Sequence, residues 1–229
     1  EGERLVLAGR VRVNGRIVRD PAFRVDLLRD RLAVDDAEVA QEARVYLALN
    51  KPRGLVTTRH DPKARDTVYR CLDGAGLPFV SPVGRLDKAS EGLILLTNDT
   101  QWASRITSPG SHVDKVYHVQ VNVVPTAELA TRVAEGVAVA NGDTGTSEHL
   151  AAQRAQVLRS GDRHGWLEIV LDEGKNRHIR RLLAALDVEV LRLVRVAIGP
   201  LALGTLGKGE WRHLTPAEVR QLGGVTKRG

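Results

Sequence analysis

Val83-Gly84-Arg85-Leu86-Asp87-Lys88-Ala89-Ser90-Glu91-Gly92-Leu93-Ile94-Leu95-Leu96-Thr97-Asn98-Asp99 is the stretch from which the fold and the chemistry of this chain are read. A short apolar segment ends just before Asp87. A polar, glycine-containing turn covers Lys88 to Gly92, and an apolar strand follows over Leu93–Leu96. An acid held between two buried strands sits on a rigid frame, where a reactive group gains fixed geometry and restricted water. Aspartate is also common in turns for purely local reasons, so spacing alone leaves a supporting role open.

Outward from this stretch, strands are expected at 45–49, 93–97, 116–121, 136–140, 152–158, 166–171 and 190–198. Helices are expected at 100–106, 126–134, 176–185 and 216–222. The last carries clear start signals: Thr215 as cap, Pro216 at the first helical position and Glu218 at the third. Strands outnumber helices and do not alternate with them regularly, which argues for an α+β domain with a mostly antiparallel sheet. Residues 1–42 read as a separate small module and linker, and 43–229 as the main domain. In the module, Glu3–Ala8 ends a helix that Gly9 stops, and Asn14-Gly15 turns a hairpin between Val11–Val13 and a return strand at Ile17-Val18. Residues 37–44 are polar and read as linker.

A chain of 229 residues with 42% hydrophobic residues can bury a sizeable core, and with only 3% aromatics that core is aliphatic. Scarce aromatics also count against an RNA binder built on rows of stacking rings. The net charge is +6 and the isoelectric point about 9.8, a balance that suits a polyanionic partner. The positive charge is clustered. Lys175, Arg177, Arg180, Arg181, Arg192 and Arg195 face only Asp187 and Glu189 between 175 and 195, and residues 1–19 hold five arginines against two glutamates. Cys71 is the only cysteine, which excludes an internal disulfide and fits a reducing cytoplasm. Histidines lack ligand-like spacing, no Gly-rich phosphate loop precedes a helix, and no apolar run is long enough for a bilayer. No metal, no cofactor and no membrane are therefore expected. The chain opens at Glu1 and contains no methionine, so a native N-terminal segment is expected to be missing.

Gly84-Arg85-Leu86-Asp87, with Glu91-Gly92-Leu93 and Leu96-Thr97-Asn98-Asp99, resembles the signature of RNA pseudouridine synthases, in the branch that modifies ribosomal RNA at single sites. Three further segments are similar to that family in the expected order: Asn50-Lys51-Pro52-Arg53-Gly54, Lys115-Val116-Tyr117, and the basic helix from Glu173 through Arg180 and Arg181 to Leu182. Leu7-Ala8-Gly9-Arg10-Val11-Arg12-Val13-Asn14-Gly15 resembles the second half of an S4-type RNA-binding module, whose first helix and most of the second are missing. The residues alone also admit an ordinary hairpin with solvated arginines.

The resemblance implies an α+β catalytic domain with its cleft across the sheet, and a cofactor-free isomerisation of uridine to pseudouridine in ribosomal RNA or a pre-ribosomal particle by a monomer. It implies that Asp87 acts on the ribose, as nucleophile or base, and that Arg180 is the cation that keeps it charged. Tyr117 and Lys115 lie two apart on a strand and so share a face. Tyr117 offers a ring to stack on uracil and a hydroxyl to exchange a proton, or else is a core tyrosine; Lys115 supports Asp87 or a phosphate. In the basic helix, Ile179, Leu182, Leu183 and Leu186 recur at helical spacing as the buried face. Lys175, Arg177 and Arg181 then contact RNA phosphates, or form a solvated face. Cations in a first turn oppose the helix dipole, which an anion would relieve. Arg85 fills the gap left by the flipped nucleotide, or touches the RNA backbone. Arg10, Arg12, Asn14 and Arg16 are the RNA-binding candidates of the module. Two other classes stand against this reading. One is a non-catalytic ribosome-assembly factor on the same fold. The other is a glycosidase-like hydrolase, which needs a second carboxylate facing Asp87, with Glu91 the nearest.

Overall fold

The structure, a computed structural model, describes residues 2–26, 29–39, 43–58, 61–108, 110–140 and 146–224. The chain forms two compact units, Glu1–Ala43 and Arg44–Gly229.

The first unit opens with helix α1 (Gly2–Leu7), which ends at Gly9 with φ +70°. A sheet of order β2-β1-β3-β4 follows, from β1 (Val11–Val13), β2 (Arg16–Val18), β3 (Leu32–Val34) and β4 (Ala37–Glu38). Asn14 and Gly15 both have positive φ, +51° and +81°, as the tight β1–β2 hairpin requires. β4 lies inside the stretch expected as linker. Both its residues are exposed, so no apolar alternation marks it, and only pairing with β3 makes it a strand. Residues 40–42 of that stretch lie outside the described residues.

The second unit is α+β, as expected. Its nine-stranded sheet runs β11-β12-β8-β13-β7-β5-β15, with β14 added to β13 and β6 to β7. The strands are β5 (Tyr46–Lys51), β6 (Ser81–Val83), β7 (Glu91–Thr97), β8 (Lys115–Val121), β11 (Arg154–Ser160), β12 (Gly165–Leu171), β13 (Val190–Ile198), β14 (Leu201–Ala202) and β15 (Trp211–His213). All pairings are antiparallel except β13 with β7. A separate hairpin pairs β9 (Val137–Ala140) with β10 (Ser147–Leu150). The helices are α2 (Thr100–Thr107), α3 (Ala127–Glu135), α4 (His178–Ala184) and α5 (Pro216–Gly223), with a 3-10 turn at Val68–Leu72. The start signals of α5 form a complete capping box between Thr215 and Glu218.

β7 explains the apolar run at its centre. Leu93 and Leu95 pack under α2 and α5 with Trp102, Ile106 and Leu222. Ile94 and Leu96 pack on the opposite face with Leu47, Leu49, Val68 and Leu86. A strand buried on both sides has no polar face to show. Thr97, Asn98 and Asp99 anchor its end. Thr97 Oγ1 donates to the Val45 carbonyl at 2.6 Å, and Asn98 Oδ1 accepts from the Val45 amide at 2.8 Å. Asp99 caps α2 by accepting from the Trp102 amide at 3.0 Å, and also accepts from the Tyr46 hydroxyl. A further apolar cluster, with Leu167, Ile169, Leu182, Leu183 and Leu193, fills the space between α3, α4 and the other half of the sheet.

Gly92 is the tightest point of the parallel β7–β13 junction. Its φ is +101°, and a Cβ there would lie 2.2 Å from the Arg195 carbonyl oxygen and 2.7 Å from its nitrogen. Both neighbours are backbone, so nothing can swing aside. Gly92→Ala is expected to lose roughly 2–4 kcal/mol of stability, from strained φ and overpacking together. Urea unfolding measures this; a loss under about 1 kcal/mol would show that the junction is looser than described, since an unstrained glycine-to-alanine change stabilises by about 0.4–1 kcal/mol.

Candidate active site

Asp87 lies in the loop between β6 and β7, and the backbone of that loop is pinned one carbonyl at a time. The Leu86 carbonyl accepts from Thr57 Oγ1 at 2.7 Å. The Asp87 carbonyl accepts from the Ser90 amide at 2.9 Å and from Lys51 Nζ at 3.2 Å. The Lys88 carbonyl accepts from the Gly54 amide at 2.8 Å, and that of Ala89 from Arg180 Nη2 at 3.4 Å. The Ser90 carbonyl accepts from Lys51 Nζ at 2.8 Å. Five consecutive carbonyls thus have donors, and each receives at least one from an element distant in sequence. The Asp87 side chain, half-buried, is held by its backbone.

Lys51 ends β5 and is fully buried. Its ammonium spends its donors on the carbonyls of Pro52, Asp87 and Ser90. Burial brings its pKa down to about 8, against the opposing pull of Asp87 and Glu91. Lys51 stands within the Asn50–Gly54 motif, but nothing local in the sequence distinguishes it from a solvated lysine.

The loop opens onto a cleft of about 1050 Å³ that brings together Asp87, Tyr117 and Arg180 with Arg85, Lys115, Lys175 and Arg177. Tyr117 stands on β8 between Ile169 of β12 and Arg195 of β13. Its ring packs against two of the apolar clusters, so it is both a core residue and a wall of the cleft. Arg85 is exposed at the rim. Arg177 caps α4 in the left-handed conformation, φ +49°, just before the first turn.

Arg180 differs from expectation. The Asp87 carboxylate forms no ion pair within 4 Å among the described residues. The Arg180 guanidinium instead donates to the carbonyls of Val190, at 3.2 Å, and Ala89. Its pKa is pushed down by burial and by Arg177, while Asp87 pulls it up: the charges sense each other without touching. Lys115 likewise does not reach Asp87; it donates to the Asp172 carbonyl at 3.1 Å, and burial lowers its pKa. Arg181 is not in the cleft. It forms an ion pair with Glu148 at 2.6 Å, because its face of α4 looks toward β10. Lys175 pairs with Glu173 at 2.8 Å.

Glu91 is turned away from Asp87. It accepts from Arg192 at 3.0 and 3.1 Å and pairs with Lys208 at 3.0 Å. Burial raises its pKa, but these cations outweigh that and leave it below the usual range. The cleft carboxylates Asp172 and Glu173 are engaged by His112 and Lys175. The pair of facing acids that a glycosidase needs is therefore not assembled. Among the described residues no three His, Cys, Asp or Glu side chains gather into a metal-binding group, and no helix is long and apolar enough to cross a membrane.

In the first unit, Arg10 is paired with Asp35 and Arg12 with Asp36, the latter at 2.8 Å. Asn14 bridges Asp30 and the Arg31 amide at 2.8 and 2.9 Å. These three side chains hold the hairpin to the chain that follows it. Arg16, on β2, is exposed and makes no ion pair among the described residues.

The chain is similar to known proteins. The family model for RNA pseudouridylate synthases matches residues 45–185, and that for the S4 domain residues 1–31. The chain is 35% identical over 224 residues to an uncharacterised RNA pseudouridine synthase of Aquifex aeolicus (strain VF5), covering 97% of this chain and 87% of the relative. It is 32% identical over 232 residues to the ribosomal large subunit pseudouridine synthase B of Bacillus subtilis (strain 168), covering 100% and 91%. A pseudouridylate synthase crystal structure superposes with a TM-score of 0.70 at 30% identity, over 96% of this chain and 91% of the other. The chain with the pinned Asp87 loop belongs to the RNA pseudouridylate synthase family, as an RNA-modifying isomerase with an S4 domain at its N-terminus.

Proposed function

We propose that this enzyme isomerises one specific uridine of ribosomal RNA to pseudouridine, as a monomer, with Asp87 acting on the ribose and no cofactor. The observation that carries this reading is the pinned loop: it holds Asp87 in the lining of the same cleft as Tyr117. Ribosomal RNA as substrate is supported by the Bacillus subtilis relative, named for the large ribosomal subunit. The target uridine is turned out of its stack into the cleft, with Arg85 at the rim to occupy the space it leaves. Asp87 then attacks C1′ or takes the proton from C2′ as the bond to N1 breaks. Tyr117 stacks on the base. Arg180 and Lys51 act through the loop backbone, and Arg177 meets phosphates at the cleft mouth, where Lys175 is held by Glu173. A binding-only protein on this fold would have no use for Asp87, Tyr117 and Arg180 converging in one cleft.

Asp87→Asn keeps the shape and removes the charge. Release of tritium from 5-tritiated uridine in ribosomal RNA is expected to cease while affinity for the RNA persists; activity within tenfold of wild type would remove Asp87 from the chemistry.

Lys51 sets the alkaline behaviour. With its pKa at about 8, it loses charge as pH rises through that value, its grip on the Asp87 and Ser90 carbonyls loosens, and the rate falls. Lys51→Arg stays charged and should carry the alkaline limb to higher pH. Lys51→Met should lower kcat roughly tenfold to a hundredfold through misplacement of Asp87, with KM little changed. An identical pH–rate profile in wild type and Lys51→Arg counts against this role.

The S4 unit contributes charge through Arg16 rather than through its paired neighbours. Arg16→Ala should reduce the slope of log affinity against log salt by ~0.7–0.9. Arg12→Ala should change it less, and equal changes in the two would show that the Arg12–Asp36 pair opens on RNA.

A further inference from the structure

Arg195 is the cleft residue whose bonding is unfinished. It lies on β13 directly opposite Tyr117, next to a register shift between Arg195 and Ala197. Such a bulge re-aims a side chain. On its other side, its backbone lies so close to Gly92 that no Cβ fits between the strands. The side chain is 5% exposed. Nε donates to the Leu93 carbonyl at 2.7 Å, which fixes the guanidinium plane. Nη2 is buried without a hydrogen-bond partner, and the residue lines the cleft. No carboxylate pairs with it within 4 Å among the described residues.

A buried cationic donor left unsatisfied is costly and therefore rare in native proteins. Its neighbours do not relieve it. Lys115, which lines the same cleft, and the fully buried Lys51 also carry positive charge, and each feels Arg195 as repulsion. The missing partner is an anion or a carbonyl oxygen that arrives with the substrate.

We propose that Arg195 holds the uracil ring while it is detached from the ribose, by donating from Nη2 to a carbonyl oxygen of the base. This rests on the reading of the cleft as a uridine isomerase. When the N1–C1′ bond breaks, its electron pair stays on the base. The negative charge spreads over N1 and the two carbonyl oxygens, whether Asp87 has bonded to C1′ or taken the C2′ proton. Rejoining uses an electron pair of the base to form the C5–C1′ bond, as the Asp87–C1′ bond breaks or as Asp87 returns its proton to C2′. The C5 proton then leaves and N1 takes up a proton, so the overall change is an isomerisation. The oxygens carry most charge only between the two bonds. A donor fixed toward them stabilises the transition state more than the bound nucleoside, and it tethers the base while it turns.

The test compares single-turnover formation of the C-glycoside, by chromatography of digested RNA, for target RNAs carrying uridine, 2-thiouridine or 4-thiouridine. Arg195→Leu is expected to slow the uridine substrate by about a hundredfold with RNA affinity unchanged. Sulfur at the oxygen that Arg195 contacts should slow the wild type, and that penalty should shrink or vanish in Arg195→Leu. A purely structural arginine would leave the sulfur penalties equal in the two proteins, and that result, or a rate within threefold of wild type, overturns the proposal. Should Arg195→Leu fail to melt cooperatively, Arg195→Gln, whose amide still offers a donor to the Leu93 carbonyl, replaces it in the same comparison. A wild type that leaves uridine RNA unchanged overturns the isomerase reading and this proposal with it.

Discussion

The pinning of five consecutive carbonyls, Leu86 to Ser90, is the constraint on which the rest of the active domain depends. A loop between two strands ordinarily satisfies its backbone with water and moves accordingly. Here Thr57, the Gly54 amide, Lys51 and Arg180 replace water. The Asn50-Lys51-Pro52-Arg53-Gly54 segment acquires its meaning from this. Lys51 supplies the ammonium, the chain turns at Gly54 with φ +101°, and Gly54 supplies an amide. Asn50 ties the same strand to residues 206–210, through bonds to the Leu206 carbonyl and from the Gly209 amide. Removing any of these donors would leave a carbonyl unsatisfied and loosen the loop that carries Asp87.

The charges around the loop follow one division of labour. On one side of the β7–β13 junction Glu91 gathers Arg192 and Lys208 into a closed group. On the cleft side Lys115, Arg180 and Arg195 line the space that Asp87 also lines, with Lys51 fully buried under the Asp87 and Ser90 carbonyls, and each of these cations is tied to backbone carbonyls rather than to carboxylates. Cations held by carbonyls keep their charge for an incoming anion, whereas cations held by carboxylates do not. Burial lowers the pKa of Lys51, Lys115 and Arg180, which is the cost of assembling such a positive space before the RNA arrives. The S4 unit shows the contrast. Arg10 and Arg12 are spent on Asp35 and Asp36, so its positive composition overstates the charge it can offer.

Strands, helices and their caps were legible because each rests on neighbours in the chain. The unbroken Leu93–Leu96 run is a strand buried on both faces, the Thr215-Pro216-Glu218 signal is a capping box, and Asn14-Gly15 is a hairpin turn. Short elements were not legible: β4, β6, β14 and β15 are two or three residues long and exist only because a longer strand lies beside them. The contacts of charged residues were legible least. The sequence shows that Arg180, Arg181 and Arg195 are cations, but not that one holds a loop, one holds Glu148 and one is left with an unpaired nitrogen in the cleft.

By itself, the sequence determined the α+β class, the S4 module, the family and the position of Asp87, because apolar periodicity, turn chemistry and motif order are properties of residues close together in the chain. Only the tertiary structure decided which donors hold the Asp87 loop, that Glu91 turns away from it, and that Arg195 comes to rest opposite Tyr117. Those outcomes depend on the parallel β7–β13 pairing and the bulge beside it, which join residues about 100 positions apart. A long flexible cation can reach many partners, and its choice is made by the backbone that the fold places within its radius.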